Sequence, residues 1–126
     1  MKPPACGISC TVTRQAVRLV GELDLSNVNV VEGALACGTS PRGRGRTLCL
    51  ELCGLEFCDV AGVRALLDGT EKFRSEGNVV VLLRPTPAVR RIFQLLDVPE
   101  APGIRLVLEG GSEGARRLVA MPTQTS

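Results

Sequence analysis

The spacing of apolar side chains along this chain changes period several times, and each change marks an element. Gly7 to Thr13 alternates with a period of two residues, the polar pair Arg14-Gln15 interrupts it, and Ala16 to Leu23 follows. Two such runs about a short polar break predict a β-hairpin. From Asn27 to Cys37 the apolar positions Val28, Val31, Ala34 and Leu35 recur at helical steps, with Ser26 placed to cap the start. Asn29, Val30 and Gly33 lower the propensity of that helix. Gly38 to Gly45, rich in Gly, Ser, Pro and Arg, reads as a loop. Arg46 to Leu52, centred on Leu48-Cys49-Leu50, predicts a buried strand.

Val63, Leu66, Leu67, Thr70 and Phe73 form one stripe over a helix from about 60 to 75. Asp59 stands at its N-cap and Gly77 just past its end. Asn78 to Leu83 is a strand buried on both faces, because its Val and Leu run is unbroken. Thr86 caps another helix and Pro87 fits its first turn, where a missing N–H costs nothing. That helix carries Val89, Ile92, Phe93 and Leu96 and ends near Asp97, before Pro99. Ile104 to Leu108 is a short last strand, and residues 111–126 read as a flexible tail or a short helix over 115–120. The order ββαβαβαβ, with repeated strand–helix–strand crossovers, predicts an α/β domain over residues 1–110 with a mostly parallel sheet.

Composition narrows the core and the chemistry. A chain of 126 residues fits one domain, since domains commonly run to ~100–150 residues. With three Phe and neither Trp nor Tyr, the core must be aliphatic. The net charge is only +2, and its one dense cluster, Arg42-Gly43-Arg44-Gly45-Arg46, reads as a flexible, solvated loop rather than a phosphate contact. Without interleaved aromatics or a broad basic face, nucleic acid is not an expected partner. No apolar run approaches the ~20 residues that cross a bilayer, and Met1-Lys2-Pro3-Pro4-Ala5 leads into no signal-peptide core, so a cytoplasmic location is expected. Free cysteines suit such a reducing environment. Cys49, Cys53 and Cys58, like Cys6 and Cys10, offer no CxxC pair, and the chain has no His, so no metal site is expected. No Walker loop or dinucleotide fingerprint is present, and no cofactor is expected.

Three blocks in register resemble a known family. Val20-Gly21-Glu22-Leu23-Asp24-Leu25 resembles a Gly-Glu-Leu-Asp strand end, and Leu50 to Asp59 resembles Leu-Asp-Leu-Ser-Gly-Val-x-Phe-x-Asp. Pro85 to Phe93 resembles a Ser-Pro-x-Val-Arg-Arg-x-Phe helix start. All three are signatures of the STAS family of anti-sigma factor antagonists, and together they span about residues 7 to 108. The resemblance implies a four- to five-stranded, mostly parallel mixed sheet with three or four helices. It also implies a partner surface at the strand-to-helix turn, which here brings in Asp24, Ser26, Asp59, Val60, Ala61 and Gly62. In that family the partner is an anti-sigma factor with a serine-kinase fold, and binding it releases the sigma factor. A homodimer is compatible with the resemblance.

The signature turn of the family reads Asp-Ser-Ser-Gly or Asp-Ser-Thr-Gly, and the second hydroxyl residue is phosphorylated to end the complex. Here Val60 and Ala61 take those two places, so Ala61, at the acceptor position, cannot be phosphorylated. Other roles compete at several positions. Asp59 serves as a helix cap, Asp24 ends a strand, Thr86 is structural and Phe57 belongs in the core. A second reading is a structural STAS subunit of a signalling or transport assembly that lacks the switch. Catalysis is the weakest reading, because no Ser–His or Cys–His pair can be built. Its one candidate is Cys58, whose thiol a helix N-terminus would acidify.

Overall fold

The computed structural model describes residues 7–13, 16–40 and 43–108. Cys6, Arg42 and the segment 111–126 lie outside the described residues. Five strands form one sheet: β1 (Ile8–Val12), β2 (Ala16–Leu23), β3 (Thr47–Cys58), β4 (Val79–Leu83) and β5 (Ile104–Val107). Three helices connect them: α1 (Val28–Gly38), α2 (Val60–Ser75) and α3 (Pro87–Leu95). The strands lie in sequence order, β1 antiparallel to β2 and all later neighbours parallel. The expected mixed, mostly parallel sheet with three helices is therefore what forms.

Because every parallel crossover steps in the same direction, right-handed connections put all three helices on one face. The main core accordingly joins Val31 and Leu35 of α1, Val63, Leu66 and Phe73 of α2, and Val89 and Phe93 of α3 to one side of the sheet. The helix stripes are those expected, except that Leu96 is exposed. The third helix stops because Asp97 adopts a left-handed backbone (φ +55°). A 3-10 turn, Val98–Glu100, follows and buries Val98, an anchor not foreseen from the sequence.

The largest departure is β3. Instead of ending at Leu52 it runs for twelve residues, to Cys58. Its inward positions are Leu48, Leu50, Leu52, Leu55 and Cys58, so the spacing changes from two to three residues after Leu52. Each three-residue step coincides with a break in register against β2: Arg18 pairs with Glu51 but Val20 with Gly54, and Gly21 with Leu55 but Glu22 with Phe57. These are two bulges on β3, each inserting one residue. The second turns Phe57 out of the core it was expected to join, leaving it 47% exposed. On β2, Gly21 takes φ +117° beside the second bulge, where a β-carbon would collide with the Gly7 carbonyl.

Arg46, the last residue of the arginine cluster, is held more firmly than expected. Arg46 donates to the Thr39 carbonyl (3.2 Å) and to that of Gly38 (3.5 Å), capping the end of α1. Its guanidinium lies 5.3 Å from the centre of the Phe73 ring. Buried Asn78 accepts from the Arg46 amide (2.7 Å) and donates to the Gly43 (2.8 Å) and Phe73 (2.9 Å) carbonyls. Arg46 thus serves the fold and is not a solvated charge.

Candidate functional site

Parallel strands β2, β3 and β4 each run into a turn that opens a helical segment, and all three turns lie at the same end of the sheet. At the first, Asp24 is the cap. Its carboxylate accepts from the Ser26 amide (2.9 Å) and from the Ser26 hydroxyl. Its own amide donates to Asn27 Oδ1 (3.0 Å), closing a capping box on a 3-10 turn, Leu25–Asn27, that precedes α1. Ser26 is therefore not the cap of α1, whose N-cap position is Asn27: it lies inside the preceding 3-10 turn and donates to Asp24, the cap of that turn. Both Ser26 donors converge on Oδ1 of Asp24, whose lone pairs can accept two hydrogen bonds.

At the second turn the Asp59 carboxylate accepts from the Gly62 amide (2.8 Å), the N-cap expected for α2. The Asp59 amide in turn donates to the Leu23 carbonyl (3.2 Å), fastening this turn to the end of β2. Asp24 and Asp59 are thereby held side by side. Val60 and Ala61 occupy the first two helical positions, and their N–H groups have no i−4 carbonyl within the helix. Val60 is 49% exposed, whereas Gly62 is buried against Leu23 and Cys58.

The third turn carries a residue whose wider role the sequence did not reveal. Thr86 caps α3 through the Val89 amide (3.4 Å), as expected, but also donates to the Leu55 carbonyl of the bulged part of β3 (3.3 Å). Just before it, Arg84 adopts a left-handed backbone (φ +52°), and its Nη2 lies 3.6 Å from Cys53 Sγ. The sequence also missed two exposed apolar groups at this end of the sheet: Leu25, 74% exposed after β2, and Phe57 on the second bulge. Leu25 belongs to no helical stripe, which was the available signal.

The chemistry of Cys58 is the reverse of that expected of a helix N-terminus. Burial, followed by the nearby Asp59 carboxylate, pushes its thiol up to about 12. Burial and Glu51 push Cys49 up to about 12 as well. The desolvation cost outweighs the helix dipole, so the buried Cys58 thiol is held in its protonated form and packs against Gly62. A thiol whose folded pKa is raised binds its proton more tightly when folded. Its stabilising contribution is complete below the ordinary thiol range, near pH 9, and is lost as pH rises towards about 12. Thermal unfolding should therefore show a falling midpoint above pH 9, and the Cys49→Ala/Cys58→Ala variant should show a shallower fall. Parallel profiles for the two proteins would contradict this account. Among the described residues no group of three Cys, Asp or Glu side chains is placed to hold a metal ion. Nor is any helix among them long and apolar enough to cross a membrane.

Comparisons with known proteins agree with this geometry. A family model described as "Mlab, STAS domain" matches residues 6–118. An anti-sigma F factor antagonist of Lysinibacillus sphaericus is 33% identical over 85 residues, covering 66% of this chain and 72% of that one. An anti-sigma factor antagonist from Mycobacterium paratuberculosis shares the fold with a TM-score of 0.71 at 22% identity, covering 96% of this chain and all of that one (100%). The anti-sigma factor antagonist SpoIIAA in its unphosphorylated form superposes with a TM-score of 0.65 at 24% identity, covering 91% and 98% of the two chains. Sheet order, capped turns and the extent of these matches lead to one conclusion: the chain belongs to the STAS domain family and is anti-sigma factor antagonist-like.

Proposed function

We propose that this chain is a non-catalytic interaction module that binds a kinase-fold anti-sigma factor and so releases a sigma factor. Its docking edge comprises Asp24, Ser26, Asp59, Val60, Ala61 and Gly62, with Leu25 and Phe57 as apolar anchors. The observation that carries this reading is the second bulge of β3, which turns Phe57 outward beside the two acid-capped turns. A half-exposed phenyl ring together with exposed Leu25 and Val60 supports reading this edge as an apolar interaction surface. Glu22, Asp24, Glu56 and Asp59 give that edge a negative rim, which suits a partner with a basic rim around an apolar centre. Because Ala61 has no hydroxyl, the complex persists in the presence of ATP.

Binding to a purified anti-sigma factor with a serine-kinase fold tests this, with Phe57→Glu as the probe. A charge placed at the apolar centre should weaken the complex by at least ~30-fold, about 2 kcal/mol. The melting temperature should barely move, because Phe57 contributes little to the core. Unchanged affinity of Phe57→Glu would remove the proposed edge. The "Mlab" description of the family model favours one other reading, a structural subunit of a transport assembly, as STAS domains also occur in lipid-transport complexes. Co-purification of transporter subunits in place of a kinase-fold protein would replace the first reading with the second.

A further inference from the structure

We propose that two copies of this chain pair through the outer edge of β1, joining their sheets into one, with the two α1 helices in contact above the seam. β1 is the end strand of the sheet, and among the described residues no strand lies beyond it. The Glu22 amide donates to the Gly7 carbonyl (3.0 Å), and the Thr13 amide to that of Ala16 (2.8 Å). Antiparallel bonding alternates along a strand, so positions 7, 9, 11 and 13 turn their backbone groups towards β2. Ile8, Cys10 and Val12 turn theirs outwards, to an open edge. Natural edge strands are blocked by charge, proline or a bulge. Ile8 to Val12 has no charge and no proline, and its register against β2 is unbroken. By contrast β5, at the other end of the sheet, carries the exposed Arg105.

A second copy is the occupant because the edge is self-complementary. A two-fold axis through Cys10, perpendicular to the sheet, sets Ile8 opposite the partner's Val12 and Cys10 opposite its own copy. Each facing pair exchanges two hydrogen bonds, about six in all. Ile8 and Cys10 pack against the helix-side core, and by alternation Val12, 39% exposed, lies on the same face. The partner's Ile8 would cover it there, as a cross-strand pair of β-branched side chains. With no charge on the strand, the two-fold brings no like charges together.

The same axis keeps both helix layers on one side of the joined sheet and brings α1 to its own copy. α1 lies over β1 and β2, and α2 over β3 and β4. α2 meets α1 on its Leu35 side, where Gly69 sits against Leu35. The opposite flank, towards the β1 edge, holds Val30 (44% exposed), Gly33 and Cys37, all exposed and uncharged. Gly33 is the midpoint of the helix, and nothing lies within 4 Å of where its β-carbon would be. Because α1 lies over both strands, the two helix axes would stand about two strand spacings apart, ~10 Å, which is packing distance. A strand from an unrelated protein would satisfy the backbone edge and leave this flank bare. One strand pair and one helix contact fall below the ~800 Å² a side of a standard interface, so the dimer is weak, half formed near ~100 μM. It leaves the Asp24 and Asp59 turns of the two copies open, at opposite ends of the joined sheet.

Sedimentation of the purified full-length chain, with its thiols kept reduced, tests this without any anti-sigma factor. The mass should rise from that of a monomer at ~10 μM towards that of a dimer at ~1 mM. Val12→Lys in the strand layer and Gly33→Glu in the helix layer should each weaken self-association at least ~10-fold. Arg105→Glu, on the far edge, should leave it within about twofold. All three positions are exposed, so melting temperatures at ~10 μM should stay within ~3 °C of the wild type and show that the variants fold. A wild type still monomeric at ~1 mM would overturn the proposal and leave the edge to a strand of another protein. A dimer that survives both substitutions, or one that Arg105→Glu dissolves, would place the contact elsewhere and overturn it as well. Loss with Val12→Lys alone would refute the seam of two layers.

Discussion

Gly62→Ala should lower the melting temperature by roughly 3–10 °C, corresponding to about 1–2 kcal/mol. In most helices this exchange is favourable, because Gly costs up to about 1 kcal/mol relative to Ala in the interior. At position 62 the added β-carbon would lie 2.7 Å from Leu23 Cγ and 2.8 Å from Cys58 Sγ, both on buried side chains. Overpacking of a filled core costs about 1–3 kcal/mol, which exceeds the propensity gain. The helix must then move away from β2 and β3, pulling at the Asp59 cap and its link to Leu23. Two controls separate packing from propensity. Gly33→Ala, where nothing lies within 4 Å of the new carbon, should stabilise by about 0.5–1 kcal/mol. Cys58→Ala/Gly62→Ala should recover part of the loss, since it removes one of the two colliding groups. A rise in melting temperature for Gly62→Ala alone would refute the close-packing account.

That close contact also explains which parts of the site were legible in the sequence. Asp59, the helix it caps and the Gly at the third helical position are local features, written in consecutive residues, and the structure has them as read. Hydrophobic periodicity located α1, α2 and α3 and the burial of β4 on both faces. It failed at β3, because a bulge changes the inward spacing from two residues to three, and a period-two reading stops where the period changes. Leu55 and Cys58 were thereby lost from the strand, and Phe57 was assigned inward although the second bulge turns it out. Ser26 was read as a cap and Asp24 as a strand end, and only the geometry of the 3-10 turn shows the capping role of Asp24. Arg46 is a different case. Its partners, Gly38, Thr39, Phe73 and Asn78, come from three separate segments, and no local pattern announces them.

Restoring a hydroxyl should restore the switch. On the proposed reading, Ala61→Ser binds the kinase-fold anti-sigma factor as the wild type does when ATP is absent. With ATP and magnesium it becomes phosphorylated, and its affinity then falls at least ~100-fold, about 2.7 kcal/mol. The fold itself should tolerate the modification. Position 61 is the second residue of α2, where the Val60 and residue-61 amides have no i−4 carbonyl within the helix and the helix dipole favours an anion. The complex should not tolerate it, because the dianion would stand beside Asp59 and Asp24 and between the apolar anchors Val60 and Phe57. The wild type should incorporate no phosphate at this turn and stay bound through repeated ATP addition. Ser26 is the only hydroxyl within the docking edge, and its side chain already donates to the Asp24 carboxylate, so a phosphate there would break the capping turn and meet a second negative charge. Wild-type protein that gains phosphate at Ser26 and dissociates would show the switch relocated instead of lost. Ala61→Ser that is phosphorylated yet remains bound would show that the turn is no part of the interface.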